Sequence, residues 1–122
     1  MSAVPEPYRV FEQPGAVADD AGALETFASL FEGNADPTSI VSFPVVLAPG
    51  TRLAPHRHTA ELAAGVVSGS MTFVFGADGT GRVDLGPGDY IWIREGVMHD
   101  EETTDGVEMV VAHVAPFETL SQ

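Results

Sequence analysis

From residue 39 onward the chain is cut into short apolar runs by turn-forming residues, and this cadence constrains the fold more than any other feature. Ser39 to Leu47 is rich in Ile, Val and Phe and stops at Ala48-Pro49-Gly50. Leu62 to Val67 leads into Ser68-Gly69-Ser70, and Met71 to Phe75 into the loop from Gly76 to Gly81. Arg82 to Leu85 is short. Tyr90 to Ile93 lies between Gly86-Pro87-Gly88 and Gly96, and Val107 to Val114 closes at Pro116. Branched and aromatic side chains suit a pleated, half-buried surface, whereas Gly, Pro and Asp punctuate it. Strands of this length, with turns roughly every eight to twelve residues, predict an all-β sandwich or barrel.

Ahead of that region, Pro5, Pro7, Pro14 and Gly15 make the first twenty residues an irregular arm, in which Tyr8 to Phe11 can form a short edge strand. Asp20 to Phe31 admits two readings. Leu24, Phe27, Leu30 and Phe31 fit a helical face stopped by Gly33, while Thr26 to Glu32 could equally be a strand. Gly33-Asn34-Ala35-Asp36-Pro37 is turn chemistry, and the acidic stretch Asp100 to Asp105 reads as a solvated loop.

The 122 residues fit one domain, 1–122. With no cysteine, disulfides, thiolate metal sites, iron–sulfur clusters and a cysteine nucleophile are excluded. Eighteen acids against five arginines give a net charge of −13, which argues against nucleic acid or an anionic membrane as partner. No run approaches the ~18 apolar residues of a membrane span. Met1 to Val10 has no basic segment followed by an apolar one, so a cytoplasmic protein is expected.

The histidines carry the chemical information. They are His56, His58, His99 and His113. On a strand, positions i and i+2 share a face, so His56 and His58 would project together. Two protonated rings so placed repel each other; a divalent metal on neutral imidazole nitrogens resolves the conflict.

Gly50, five residues, His56-Arg57-His58 and a later Gly69 resemble the first motif of the cupin superfamily. The second motif, a glycine, five residues, a proline, any residue, a glycine, two residues and a histidine, is matched from Gly88 through Gly96 to His99, with Arg94 in the proline's place. The resemblance covers about Ser39 to Val114. It implies a double-stranded β-barrel of the cupin, jelly-roll type, with one divalent metal held by His56, His58 and His99, and it favours a strand over Thr26 to Glu32. Imidazole suits Zn, Fe, Ni and Cu, and three protein ligands leave positions for water or substrate; Fe is the ion expected first, with Mn, Zn, Ni and Cu as alternatives.

The first motif's glutamate falls at Leu62, or at Ala63 when the longer spacing is counted forward from His58, with Glu61 one residue before Leu62. On a regular strand Glu61 would point out of the barrel; only a bulge would make it a ligand. A three-histidine site resembles those of non-haem iron dioxygenases. The implied function is therefore a metal-dependent enzyme on a small organic molecule, an Fe(II) dioxygenase first of all. The alternatives are a cupin isomerase, decarboxylase or lyase, and a non-catalytic cupin that binds or senses a metal or ligand. Leu62, Trp92 and His113 are candidates for the pocket wall, His113 because it shares the parity of Met109 and Val111, although a surface place suits it as well. Trp92 and Phe75 would serve equally as core. Arg52 and Arg94 could reach a barrel mouth. A homodimer is expected, with the arm either contacting the partner or covering an edge of its own barrel.

Overall fold

The structure is a computed structural model that describes residues 6–15, 17, 21–76 and 81–121. The first five residues of the arm, its residues 16 and 18–20, and loop residues 77–80 lie outside the described residues. The strands are β1 (Tyr8–Phe11), β2 (Val41–Leu47), β3 (Arg52–His58), β4 (Leu62–Gly69), β5 (Met71–Phe75), β6 (Gly81–Leu85), β7 (Tyr90–Ile93), β8 (His99–Glu102), β9 (Val107–His113) and β10 (Thr119–Leu120). One helix, α1 (Ala21–Leu30), and a 3-10 turn at Pro37–Ser39 precede β2. Among the described residues the strands form two five-stranded antiparallel sheets, in the orders β1-β7-β4-β9-β2 and β10-β3-β8-β5-β6.

Alternation along the strands builds two apolar layers. Ala64, Val66, Met71, Phe73, Phe75, Ile91, Ile93 and Met109 pack between the sheets. Ala63, Tyr90, Trp92, Val110 and Ala112 point the other way, where they are covered by Ala23, Phe27, Ala28 and Leu30 of α1 and by Phe31 just after it. All four residues of β7 are therefore buried, two on each face.

The strand expected over Thr26 to Glu32 is thus corrected. This stretch is mostly helix, because Ala23, Phe27, Leu30 and Phe31 recur on one face while Glu25 and Ser29 are exposed on the other. The Phe27 ring is fully buried and meets Tyr90 edge to face at 5.0 Å between centroids. Trp92, expected as a pocket candidate, is in this outer layer, fully buried beneath α1 and capped by Arg9 and Arg94 at 4.7 and 5.0 Å.

The reading of Tyr8 to Phe11 as an edge strand holds. β1 lies against β7 of its own chain, Tyr8 opposite Ile93 and Phe11 opposite Tyr90. Arg94 fastens the arm. Its backbone N–H donates to Pro7 O at 2.9 Å, its Nε donates to Glu6 O at 2.8 Å, and its guanidinium reaches Glu32 at 2.8 Å. Arg94 is therefore a clamp between arm, helix and β7 rather than a group at a barrel mouth. A proline at this position could not donate that N–H. Among the described residues no helix is long and apolar enough to cross a membrane.

Candidate metal centre

Two strands of the second sheet bring the histidines together. Arg52 faces Glu102 and Leu53 faces Glu101, but His56 faces His99. The pairing has gained one residue on β3, a bulge that contains Ala54 and Pro55. Proline is tolerated at a bulge because a ladder hydrogen bond is missing there anyway. The shift sets His56 directly across from His99, and His58, two residues on, shares its face. The turn of the second motif is tied to the first: Gly96, at φ +78°, donates its N–H to His58 O at 2.9 Å. That φ belongs to the left-handed region, which glycine enters without a Cβ clash.

The ring centroids of His56, His58 and His99 lie 4.5–5.2 Å apart, and one ligand atom from each falls within 4.8 Å of the others. Their outer nitrogens are already engaged. His56 Nδ1 is 2.7 Å from Ala54 O, His99 Nδ1 is 3.0 Å from Val97 O, and His58 Nδ1 is 3.1 Å from Thr119 Oγ1. A carbonyl oxygen only accepts, so Nδ1 of His56 and of His99 carries the hydrogen; the Nε2 lone pair of His99 is then left for a metal, and that of His56 once its Nε2 gives up the proton it shares with Glu101. Outer hydrogen bonds of this kind orient metal-binding imidazoles. Burial, and then the charges of His99 and His56, push the His58 pKa down to about 4. Burial lowers that of His99 as well. Both rings are thus held in the neutral form that ligates. His56 is shifted up instead, chiefly by its hydrogen bond to Glu101. This donor set suits a divalent transition ion.

The histidines sit at one side of a cavity of about 470 Å³ whose other walls are mainly apolar: Phe43, Leu53, Leu62, Phe73, Ile93, Met109 and Val111. Leu62 is in that wall. Glu61, just before β4, is neither in that wall nor in the histidine group. His113 is not in the wall either; it packs behind it, against Phe43 and Phe117, at 6.1 and 4.8 Å between ring centroids. The C-terminal segment closes one flank: Thr119 pairs with His58, and the Phe117 ring stands 5.5 Å from it.

Sequence reasoning missed Phe43, Phe117, Thr119 and, above all, Glu101. The expected solvated loop from Asp100 to Asp105 is corrected at its start, where residues up to Glu102 belong to β8, inside the second sheet. Asp100 and Glu101 are buried because each carboxylate has a partner. Asp100 accepts from Arg52 at 2.9 Å on the face away from the cavity, and Glu101 Oε2 lies 3.0 Å from His56 Nε2 within it. The available signal was the spacing His99-x-Glu101, the same i, i+2 relation as His56-x-His58.

Comparisons with known proteins agree with this geometry. The cupin domain family matches residues 43–115, a span that contains both motifs. No curated protein matches the chain. A cupin-2 domain containing protein from Shewanella frigidimarina shares the fold, with a TM-score of 0.56 and 16% identity over 66% of this chain and 76% of that one. The polyketide cyclase RemF from Streptomyces resistomycificus has a TM-score of 0.55 and 26% identity, over 65% of this chain and 58% of the cyclase. Oxalate decarboxylase from Bacillus subtilis, described with Mn(II) centres, has a TM-score of 0.53 and 24% identity, over 60% of this chain and 20% of the decarboxylase. With a family match across more than half its length, both motifs in register and the two antiparallel sheets in place, the chain belongs to the cupin family.

Proposed function

We propose that this cupin is a metal-dependent enzyme that transforms a small, largely apolar organic molecule, as an Fe(II) dioxygenase. The observation that carries the reading is the convergence of three oriented imidazoles on the wall of a cavity of about 470 Å³. That size is typical of small-molecule sites, and their walls are usually apolar with a few placed polar groups. An ion on His56, His58 and His99 would supply Lewis acidity and, for iron, redox capacity. The chain's own residues supply the rest. Phe43, Leu62, Phe73 and Ile93 exclude water and hold the hydrocarbon part of the substrate. Leu62, in the place of the motif glutamate, leaves that side of the cavity uncharged.

A second reading is non-oxidative chemistry such as cyclisation, isomerisation or decarboxylation, favoured by Glu101, a carboxylate placed inside the cavity beside His56. The resemblance to a polyketide cyclase points the same way. The test is protein reconstituted separately with Fe(II), Mn(II), Zn(II), Ni(II) and Cu(II), with one bound ion expected. Each form is then assayed for oxygen uptake against diketones, thiols and catechols. Uptake with the iron form supports dioxygenation; turnover without uptake favours the second reading; tight binding without turnover would make the protein a binding cupin. We also propose a homodimer, which light scattering showing only a 12.8 kDa species would refute.

A further inference from the structure

We propose that Glu101 is the fourth ligand of the metal, so that the carboxylate absent from the first motif is supplied two residues after the histidine of the second. The inference rests on the metal-centre reading above and does not depend on which reaction follows. Alternation on β8 turns Glu101 to the same face as His99, and its side chain lines the cavity while remaining 9% exposed. Its Oε2 is 3.0 Å from His56 Nε2 and 3.9 Å from His99 Nε2. Donors about 2.1 Å from one octahedral ion stand about 3.0 Å apart when adjacent and about 4.2 Å apart when opposite. The two separations fall within that range. The carboxylate therefore already stands where a ligand shared with His56 and His99 would stand.

Two further observations favour ligation over a purely structural role. The cavity around Glu101 offers no arginine or lysine to neutralise a buried carboxylate; its lining is apolar apart from the histidines, Thr119 and Ser121. Its partner in the metal-free fold is His56, through the same Nε2 that a metal would take; with that nitrogen ligating, the buried charge would lose its partner, a costly state that a divalent cation compensates. The motif position itself is filled by Leu62, which faces the same cavity and so leaves that side of the ion without a charged donor. A donor set of three imidazoles and one carboxylate would then have been reached by moving the acid from β4 to β8.

The test uses the full chain stripped of metal, titrated with Co(II) by calorimetry and followed by the visible absorption of the bound ion. Wild type should bind one ion. Glu101→Gln, which keeps the shape and removes the charge, should weaken binding at least tenfold and change the Co(II) spectrum. Glu61→Gln should leave both unchanged. Leu62→Glu placed on the Glu101→Gln background should recover part of the lost affinity by restoring an acid at the motif position. Should Glu101→Gln fail to fold, Glu101→Asp gives the same reading, with a shifted spectrum expected. An unchanged affinity and spectrum in these Glu101 variants would overturn the proposal while leaving a three-histidine site standing. If wild type takes up no ion, the metal-centre reading fails and this proposal falls with it.

Discussion

At the scale of single residues, the three site histidines do not respond to acid alike. His58 and His99 have folded pKa values below the ordinary 6.5, so the unfolded chain takes their protons first. The stability they contribute is complete above that ordinary value and is lost as the pH falls through it, down to about 4 for His58. His56 has the opposite sign. Its folded pKa is raised, so its contribution is present below the ordinary value and lost as the pH rises through the folded one. The His58 shift, the large one, makes mild acid weaken the metal-free protein through this residue. Replacing His58 with Gln removes its share. Between about pH 6.5 and pH 5, the melting temperature of metal-free wild type should therefore fall more steeply than that of the variant. Parallel curves would show that burial of His58 has no such cost. The two histidines of β3 were legible because their i, i+2 spacing reports a shared strand face, whereas His99 was legible only through the resemblance to the second cupin motif. Glu101 was not, because charge normally marks solvent, and only the pairing of β8 between β3 and β5 shows that this acid is inside.

At the scale of elements, α1 and β1 are the additions that the barrel pattern did not announce in full. Most of the strands from β2 onward were readable from their cadence, and Met71–Phe75 and Tyr90–Ile93 fall where their flanking turns put them, but β3, β8 and β10 were not, because their polar and proline-bearing sequences lack an apolar run. The helix was ambiguous because a run of Ala, Leu and Phe fits either period over so few residues, and the sheet surface it covers is remote in sequence. Phe27→Ala should cost about 3–5 kcal/mol, since it empties a fully buried aromatic site. An unfolding free energy from chemical denaturation that changes by less than a quarter of that would show that α1 is not essential to the core. Arg94→Pro restores the motif residue but removes the N–H given to Pro7 O, the donor to Glu6 O and the link to Glu32. It should lower stability by at least about 1 kcal/mol and speed amide exchange in β1. Unchanged exchange there would mean that β1 is held by β7 alone.

At the scale of the whole molecule, charge and site act together. The net charge of −13 leaves the chain surrounded by a negative potential, and much of its small positive charge is already paired: Arg52 with Asp100, Arg82 with Glu102, Arg94 with Glu32. Such a field concentrates cations around the protein and disfavours anionic substrates, which agrees with the apolar walls of the cavity. It also makes cation capture sensitive to salt, because added ions shorten the range of the attraction. A metal that binds the folded chain and not the unfolded one stabilises it by mass action, about 2.7 kcal/mol at a hundred times its dissociation constant. For a domain of this length that corresponds to a rise in melting temperature on the order of 10 °C. Metal-free protein titrated with Zn(II) should therefore melt progressively higher, a chelator should reverse the shift, and raising the salt concentration should weaken it at a fixed metal concentration. His56→Ala should abolish most of the gain, because it removes a ligand without touching the layer beneath α1. An equal shift in wild type and His56→Ala would place the stabilising ion elsewhere on the acidic surface, and a shift indifferent to salt would show that the field of the whole protein plays no part in drawing the ion in.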